Sequence, residues 1–293
     1  MSEYLSRLRQ ALISGVTWKH PLVSVALKLS DPIDYLVRCA RNMSSFPRMS
    51  VRARSNGLRG QFGGVKFRKM GDSFVSELRD RGWLKSGDKV LEIGCGCGRN
   101  AFAIARQLDY FTYEGLDIDR VSIESAARNR TLLHHGCRFQ FIDVRNAEYN
   151  PQGACVANEY RFPRDDNSYD VVFLVSVFTH MMPDDVSHYL VEIARLLKPG
   201  GRVVFTTFLM DHDCCFNGQT FSYGRGPFRS TEKELPEICV GYFMKFFDEA
   251  LSNAGLNRLD SPVLSGLRKE DGIKATGRFS QDVVTAVKPQ ATE

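Results

Sequence analysis

The sequence predicts an α/β protein built on a mainly parallel sheet with helices on both faces, preceded by a helical N-terminal cap. Three observations carry this prediction. From Lys89 onward, short apolar runs (Lys89–Ile93, Phe111–Ile118, Cys137–Phe141, Tyr169–Ser176 and Gly201–Phe208) alternate with helical stretches, the pattern of βαβ units. The first run passes straight into a glycine-rich turn and then a stretch of helical character, Ala101–Ala105. Downstream, Val186, Tyr189, Leu190, Ile193 and Leu197 recur at spacings of three and four, which places them on one face of a helix over Asp184–Lys198.

Taken in order, residues 1–80 read as helices and loops, with turn signals at Ser30-Asp31-Pro32, Phe46-Pro47 and the glycines 57, 60, 63 and 64. They form the expected cap or entry region, and residues 81–293 the expected α/β domain. The apolar run Pro21–Val37 is interrupted by Lys28, Asp31 and Asp34, so no membrane span is expected there. A helix resting on a membrane surface or a partner is compatible with it, as is one packed on its own domain. The helix over Asp184–Lys198 carries matching end signals: Pro183 and two acids at its start, Lys198 and Pro199-Gly200-Gly201 at its end. Residues 210–240 form a polar, aromatic and glycine-containing insertion, a helix over Tyr242–Ala254 stops at Gly255, and two more strand candidates close the chain.

Composition narrows the class. At 293 residues, with 43% hydrophobic and 25% charged residues, the chain can bury a sizeable core. A net charge of +5 is too mild to argue for nucleic acid, and no RNA-binding module is visible. The charge is uneven, however. Arg41–Met70 contains Arg41, Arg48, Arg52, Arg54, Arg59, Lys66, Arg68 and Lys69 and no acid, which would attract an anionic partner. Eight cysteines without a secretory signal are read most simply as reduced thiols of a cytoplasmic protein.

The chemistry concentrates where Lys89–Ile93 enters Gly94-Cys95-Gly96-Cys97-Gly98-Arg99-Asn100. Glycines allow the positive φ of a tight turn and let a ligand approach backbone amides at a helix N-terminus. A nicotinamide dinucleotide enzyme is one reading, because residues 96–101 satisfy G-x-G-x-x-A and Asp117 follows about twenty residues later. The register favours another: Glu92 lies inside the strand, and Gly94, Gly96 and Gly98 occupy alternate positions of the turn.

This arrangement resembles motif I of the class I S-adenosylmethionine-dependent methyltransferases, and the likeness extends through most of residues 63–288. Gly115-Leu116-Asp117-Ile118-Asp119 is similar to the family's second strand, which implies that Asp117 holds the ribose hydroxyls and Ile118 flanks the adenine. Phe141-Ile142-Asp143-Val144 resembles the third-strand motif, implying adenine recognition by Asp143 and by the amide of Val144. Asp170–His180, Leu196–Gly201 and Ser280–Val284 are similar to the fourth strand and its exit, the turn before strand five, and the final antiparallel strand. The resemblance thus implies a Rossmann-like, seven-stranded, mostly parallel sheet and a cofactor site of Glu92, Gly94, Cys95, Gly96, Gly98, Asp117, Ile118, Asp143 and Val144.

Methyl transfer from a sulfonium is an in-line displacement that needs alignment, exclusion of water and no metal. For a hydroxyl acceptor a nearby base helps, and His180, at the exit of the fourth strand, is the candidate; a histidine that merely packs the next helix is the alternative. Asp211-His212-Asp213-Cys214-Cys215 contains metal-ligand residue types, but they are contiguous and lack a second pair at zinc spacing, so a substrate-side loop is expected, with His212 in reserve. Cys95 and Cys97 read as small fillers. In the basic segment, Arg52, Arg54, Lys66 or Arg68 would meet a phosphate or carboxylate, or form a solvated face. The expected protein is a methyltransferase acting on a hydroxyl of a saccharide or other small molecule, an anionic one included. A small-molecule amine is the second acceptor, and an NAD(P) oxidoreductase or a non-catalytic S-adenosylmethionine-binding module are the alternatives of other classes.

Overall fold

The computed structural model describes residues 16–210, 215–216, 219–265 and 280–290. Three helices come first: α1 (Pro21–Ala40), α2 (Met49–Asn56) and α3 (Val65–Asp80). Then follow β1 (Lys89–Ile93), α4 (Arg99–Gln107), β2 (Thr112–Asp117), α5 (Arg120–Ala127), α6 (Arg130–His134), β3 (Arg138–Phe141), β4 (Tyr169–Leu174), α7 (Pro183–Leu196) and β5 (Leu197–Leu209). The chain continues through β6 (Cys215–Phe216), β7 (Gln219–Thr220), β8 (Phe228–Ser230), β9 (Val240–Tyr242), α8 (Met244–Asn253), β10 (Asn257–Arg258) and β11 (Asp282–Val287).

The main path of the sheet is β10-β11-β5-β4-β1-β2-β3, seven strands as expected, with β8 and β9 added alongside the end of β5. β3, β2, β1, β4 and β5 run parallel, β11 runs antiparallel to β5, and β10 runs antiparallel to β11. Burial on both faces explains why β1 and β4 read as continuous apolar runs rather than alternating ones. On one face Leu91, Ile93, Val172 and Leu174 pack against Val186, Leu190 and Ile193 of α7 and Phe247 of α8. On the other, Val90, Val171, Phe173 and Val204 meet Phe74 and Leu78 of α3 and Ala101, Phe102 and Ile104 of α4. Helix α3, drawn from the first 80 residues, therefore packs within the core of the sheet itself.

Two boundaries differ from the sequence reading. α7 ends at Leu196, because Leu197 is already extended (φ −70°, ψ 136°) and pairs with Tyr169. Pro199-Gly200-Gly201 is thus an irregularity inside β5 and not the stop of the helix. Likewise Tyr242 ends β9, so α8 starts at Met244; the Tyr242 hydroxyl donates to the Met181 carbonyl at 2.6 Å.

The N-terminal helices are held by buried ionic contacts. Asp34 accepts from Arg38 and Arg52 at 2.7 Å each and from the Gly63 amide at 2.8 Å, and Asp31 accepts from the Ser50 amide and hydroxyl. Arg52 is completely buried in this cluster, which removes it from the basic residues expected to meet an anionic ligand. Two of the others are also engaged: Arg68 pairs with Asp72, and the Lys66 ammonium donates to the Arg59 carbonyl. No described helix is long and apolar enough to cross a membrane.

Candidate functional site

Strand order reverses between β1 and β4, and the crevice beyond their carboxyl ends is where ligands bind in open α/β sheets. A cavity lies there, lined by Gly94 after β1, Asp117 at the end of β2 and Ile118 after it, Ile142 and Val144 after β3, and Ser176 and His180 after β4. Arg54 and Ser55 of α2 reach over it from the N-terminal segment.

The glycine turn forms as the sequence requires: Gly94, Gly96 and Gly98 have φ of 78°, 53° and 85°. Crowding reinforces the requirement, since a Cβ on Gly94 would lie 2.3 Å from Val177 Cγ2 and one on Gly96 would lie 2.8 Å from Ser55 Cβ. Asp117 locks the turn, accepting from the Gly96 amide at 2.6 Å with one oxygen and from the Asp119 amide at 2.7 Å with the other. Each oxygen keeps a further lone pair for a ligand hydroxyl. Asp117 opens onto the cavity yet is walled by protein, and this desolvation pushes its carboxyl up to about 6. Asp119 caps α5 through Ser122 and pairs with Arg54, whose guanidinium sits 4.0 Å from the ring centre of Trp18.

Five residues expected from sequence thus meet at the cavity: Gly94, Asp117, Ile118, Val144 and His180. The other five lie elsewhere. Glu92 is a brace behind the turn, 1% exposed, accepting from Asn100 Nδ2 at 2.7 Å and from the Tyr113 hydroxyl. Cys95 is buried against Gly115, and Gly96 faces Ser55. Gly98 is held against Leu132 and Phe139. Asp143 is exposed, with its carboxylate 3.1 Å from Asn150 Nδ2, while its neighbours Ile142 and Val144 face the cavity. Burial raises Cys95 well above an ordinary thiol and Cys97 to about 11, which suits inert fillers and not nucleophiles.

Burial also pushes Glu92 up from 4.5 to about 7, against the opposing donors Tyr113 and Asn100. A carboxyl raised in this way keeps its proton in the folded protein where the unfolded chain has lost it. Stability contributed by that proton therefore falls as pH rises from about 4.5 to about 7. Glu92→Gln is expected to flatten this part of the curve, which thermal unfolding across the range would show.

Sequence reasoning missed the surroundings of His180. Asn146 accepts from the amides of Glu148 and Tyr149 with its side-chain oxygen and donates to the His180 carbonyl at 2.9 Å. This tight loop sets Tyr149 edge-on to the imidazole, with ring centres 5.4 Å apart. It also brings the buried Glu148 carboxylate to 3.1 Å from His180 Nδ1. The same nitrogen lies 3.1 Å from the Glu237 carbonyl, supplied by the insertion. Loop residues from segments far apart in the chain leave no motif, so nothing in the sequence singled out Glu148 or Glu237. Ser176 has φ 60° at the exit of β4, a conformation uncommon outside glycine, and its amide donates to Thr206 Oγ1 while its hydroxyl accepts from Gln281. Residues 211–214, including His212, lie outside the described residues. Among the described residues no cluster of three or more His, Cys, Asp or Glu is arranged to hold a metal ion.

Residues 91–203 match the family model described as a methyltransferase domain. The comparisons support the class I S-adenosylmethionine-dependent methyltransferases, whose cofactor is S-adenosylmethionine, over the nicotinamide reading of the glycine turn. A phthiotriol/phenolphthiotriol dimycocerosates methyltransferase of Mycobacterium ulcerans is 34% identical over 121 residues, 41% of this chain and 38% of that protein. A fatty-acid O-methyltransferase of Mycolicibacterium smegmatis is 35% identical over 121 residues, 41% of this chain and 37% of that protein. The matched stretch thus spans less than half the length of each relative. The [4+2]-cyclase SpnF shares the fold at 21% identity and a TM-score of 0.52, covering 75% of this chain and 82% of its own.

The cavity suits the cofactor on its own chemistry. A carboxylate with two spare acceptor sites at the second strand matches a ribose diol, and Ile118, Ile142 and Val144 offer apolar walls for a base.

Proposed function

We propose that this chain transfers a methyl group from S-adenosylmethionine to a hydroxyl on a small molecule whose bulk is apolar, with His180 accepting the hydroxyl proton. The observation that carries this reading is the fixed orientation of His180. A backbone carbonyl can only accept, so the Glu237 oxygen at 3.1 Å requires the proton of the neutral ring on Nδ1. Nε2 then presents its lone pair, and it has no hydrogen-bond partner among the described residues. Bound cofactor supplies an electrophilic methyl on a sulfonium. The chain's own residues hold the acceptor, exclude water and take up one proton at Nε2, after which the Glu148 carboxylate faces a full imidazolium charge.

In this reading Asp117 binds the ribose, Ile118 and Val144 flank the adenine, and the glycine turn carries the amino-acid end. Val175, Val177 and Met181 give the cavity an apolar stretch of wall beside His180, against which an apolar acceptor can lie. We read an apolar acceptor in place of the saccharide expected from sequence. The names of the two mycobacterial relatives, which refer to a fatty acid and to dimycocerosates, support the same choice.

Methyl-labelled S-adenosylmethionine offered with a panel of hydroxylated lipophilic compounds, saccharides and amines tests the proposal. Label is expected in the lipophilic hydroxyl compounds. Label in saccharides or amines alone would overturn the acceptor assignment. Calorimetry showing cofactor binding without turnover of any acceptor would favour a binding module.

A further inference from the structure

Helix α1 is inverted relative to an ordinary surface helix, whose apolar stripe faces the core. Its charged residues Asp31, Asp34 and Arg38 point inward and are 7%, 0% and 2% exposed. Its outer face carries Leu22, Val25, Leu29, Ile33 and Leu36, exposed by 73%, 54%, 73%, 60% and 67%. At 3.6 residues per turn these five fall within less than a quarter of the circumference, and no charged residue shares that arc. The inversion is built in, because Asp31 and Asp34 are committed to Ser50, Arg52 and Gly63 and cannot rotate outward without breaking a buried ionic cluster.

Charge decides what covers this stripe. Between residues 16 and 70 the only acids are Asp31 and Asp34, both buried, whereas Lys28, Arg41, Arg48 and Arg59 are exposed. Lys28 and Arg48 line the groove along one flank of α1 together with Tyr35. Arg41 follows the last turn, with its guanidinium over Gly63. A second copy of the chain seated on the stripe would set two such cationic rims against each other, with no exposed acid in this segment to answer them. An anionic lipid surface answers both features, taking the apolar side chains between its acyl chains and the cations at its headgroups.

We propose that α1 docks the protein on an anionic membrane surface, lying in the interface with Leu22, Val25, Leu29, Ile33 and Leu36 inserted. Arg54 lines both the groove beneath α1 and the candidate site, so that groove and the site adjoin.

The test is co-sedimentation of the full chain with vesicles of phosphatidylcholine alone and of phosphatidylcholine with phosphatidylglycerol, at low and high salt. Binding is expected to the mixed vesicles and to weaken with salt. The double variant L29D/I33D should lose about tenfold or more of that binding, and K28E/R48E a similar share. Both variants should bind S-adenosylhomocysteine as the parent does, which shows that they fold and separates this outcome from any failure of the methyltransferase reading. Failure of the parent to sediment with the mixed vesicles would overturn the proposal, as would equal binding by L29D/I33D. A dimer in solution that L29D/I33D converts to monomer would assign the stripe to a second copy and overturn it too.

Discussion

Asp117→Ala is expected to weaken binding of S-adenosylhomocysteine on the order of a hundredfold or more while the protein stays folded. Two charge-assisted hydrogen bonds to a ribose diol, at about 1.5–3 kcal/mol each, account for that range. The same carboxylate pins the amides of Gly96 and Asp119, so its loss also loosens the glycine turn and the start of α5. Asp117→Asn separates the two roles, because an amide keeps one acceptor oxygen but brings a donor where a second acceptor is needed. Its loss is expected to fall between those of the parent and the alanine variant. pH provides an independent check. With the carboxyl raised to about 6, protonation below that value removes the charge, so cofactor affinity should fall as pH drops through about 6 in the parent and not in Asp117→Ala. Calorimetric titration over that range reads both effects, and undiminished affinity in the alanine variant would remove Asp117 from the site.

The elements most legible in the sequence were those whose cause is local. β1 keeps its exact bounds because it is buried on both faces and ends where Gly94 must take positive φ. Asp117 was legible for the same reason: it closes a strand at a fixed distance from the turn whose amide it accepts. Glu92 shows the limit of motif reasoning. Its place in the strand is plain, but the alternation of side chains turns it away from the cavity toward Asn100 and Tyr113. Asp143 is a related case, one position from two cavity-lining residues yet itself exposed. What the sequence left unreadable is tertiary. Arg52 looked like part of a cationic surface until Asp34, eighteen residues earlier, was found beside it in the interior. The contacts of His180 come from residues 148 and 237, which no spacing rule connects.

Those contacts set the second large effect. His180→Ala is expected to lower kcat about a hundred- to ten-thousandfold on the accepted hydroxyl compound, with affinity for S-adenosylhomocysteine nearly unchanged. Glu148→Gln should lower kcat by a smaller factor and also spare the cofactor, because it acts only through the ring. Glu148 lies 3.1 Å from Nδ1, where its charge offsets the one formed when Nε2 takes a proton. If the two residues act as one unit, their effects do not add: once the imidazole is gone the carboxylate has no charge to offset, so His180→Ala/Glu148→Gln should be no slower than His180→Ala alone. Added imidazole should restore part of the activity of His180→Gly and little of that of Glu148→Gln. Additive losses, or a His180→Ala enzyme with full kcat, would mean that the ring only packs the loop between β4 and α7 and that the acceptor loses its proton by another route.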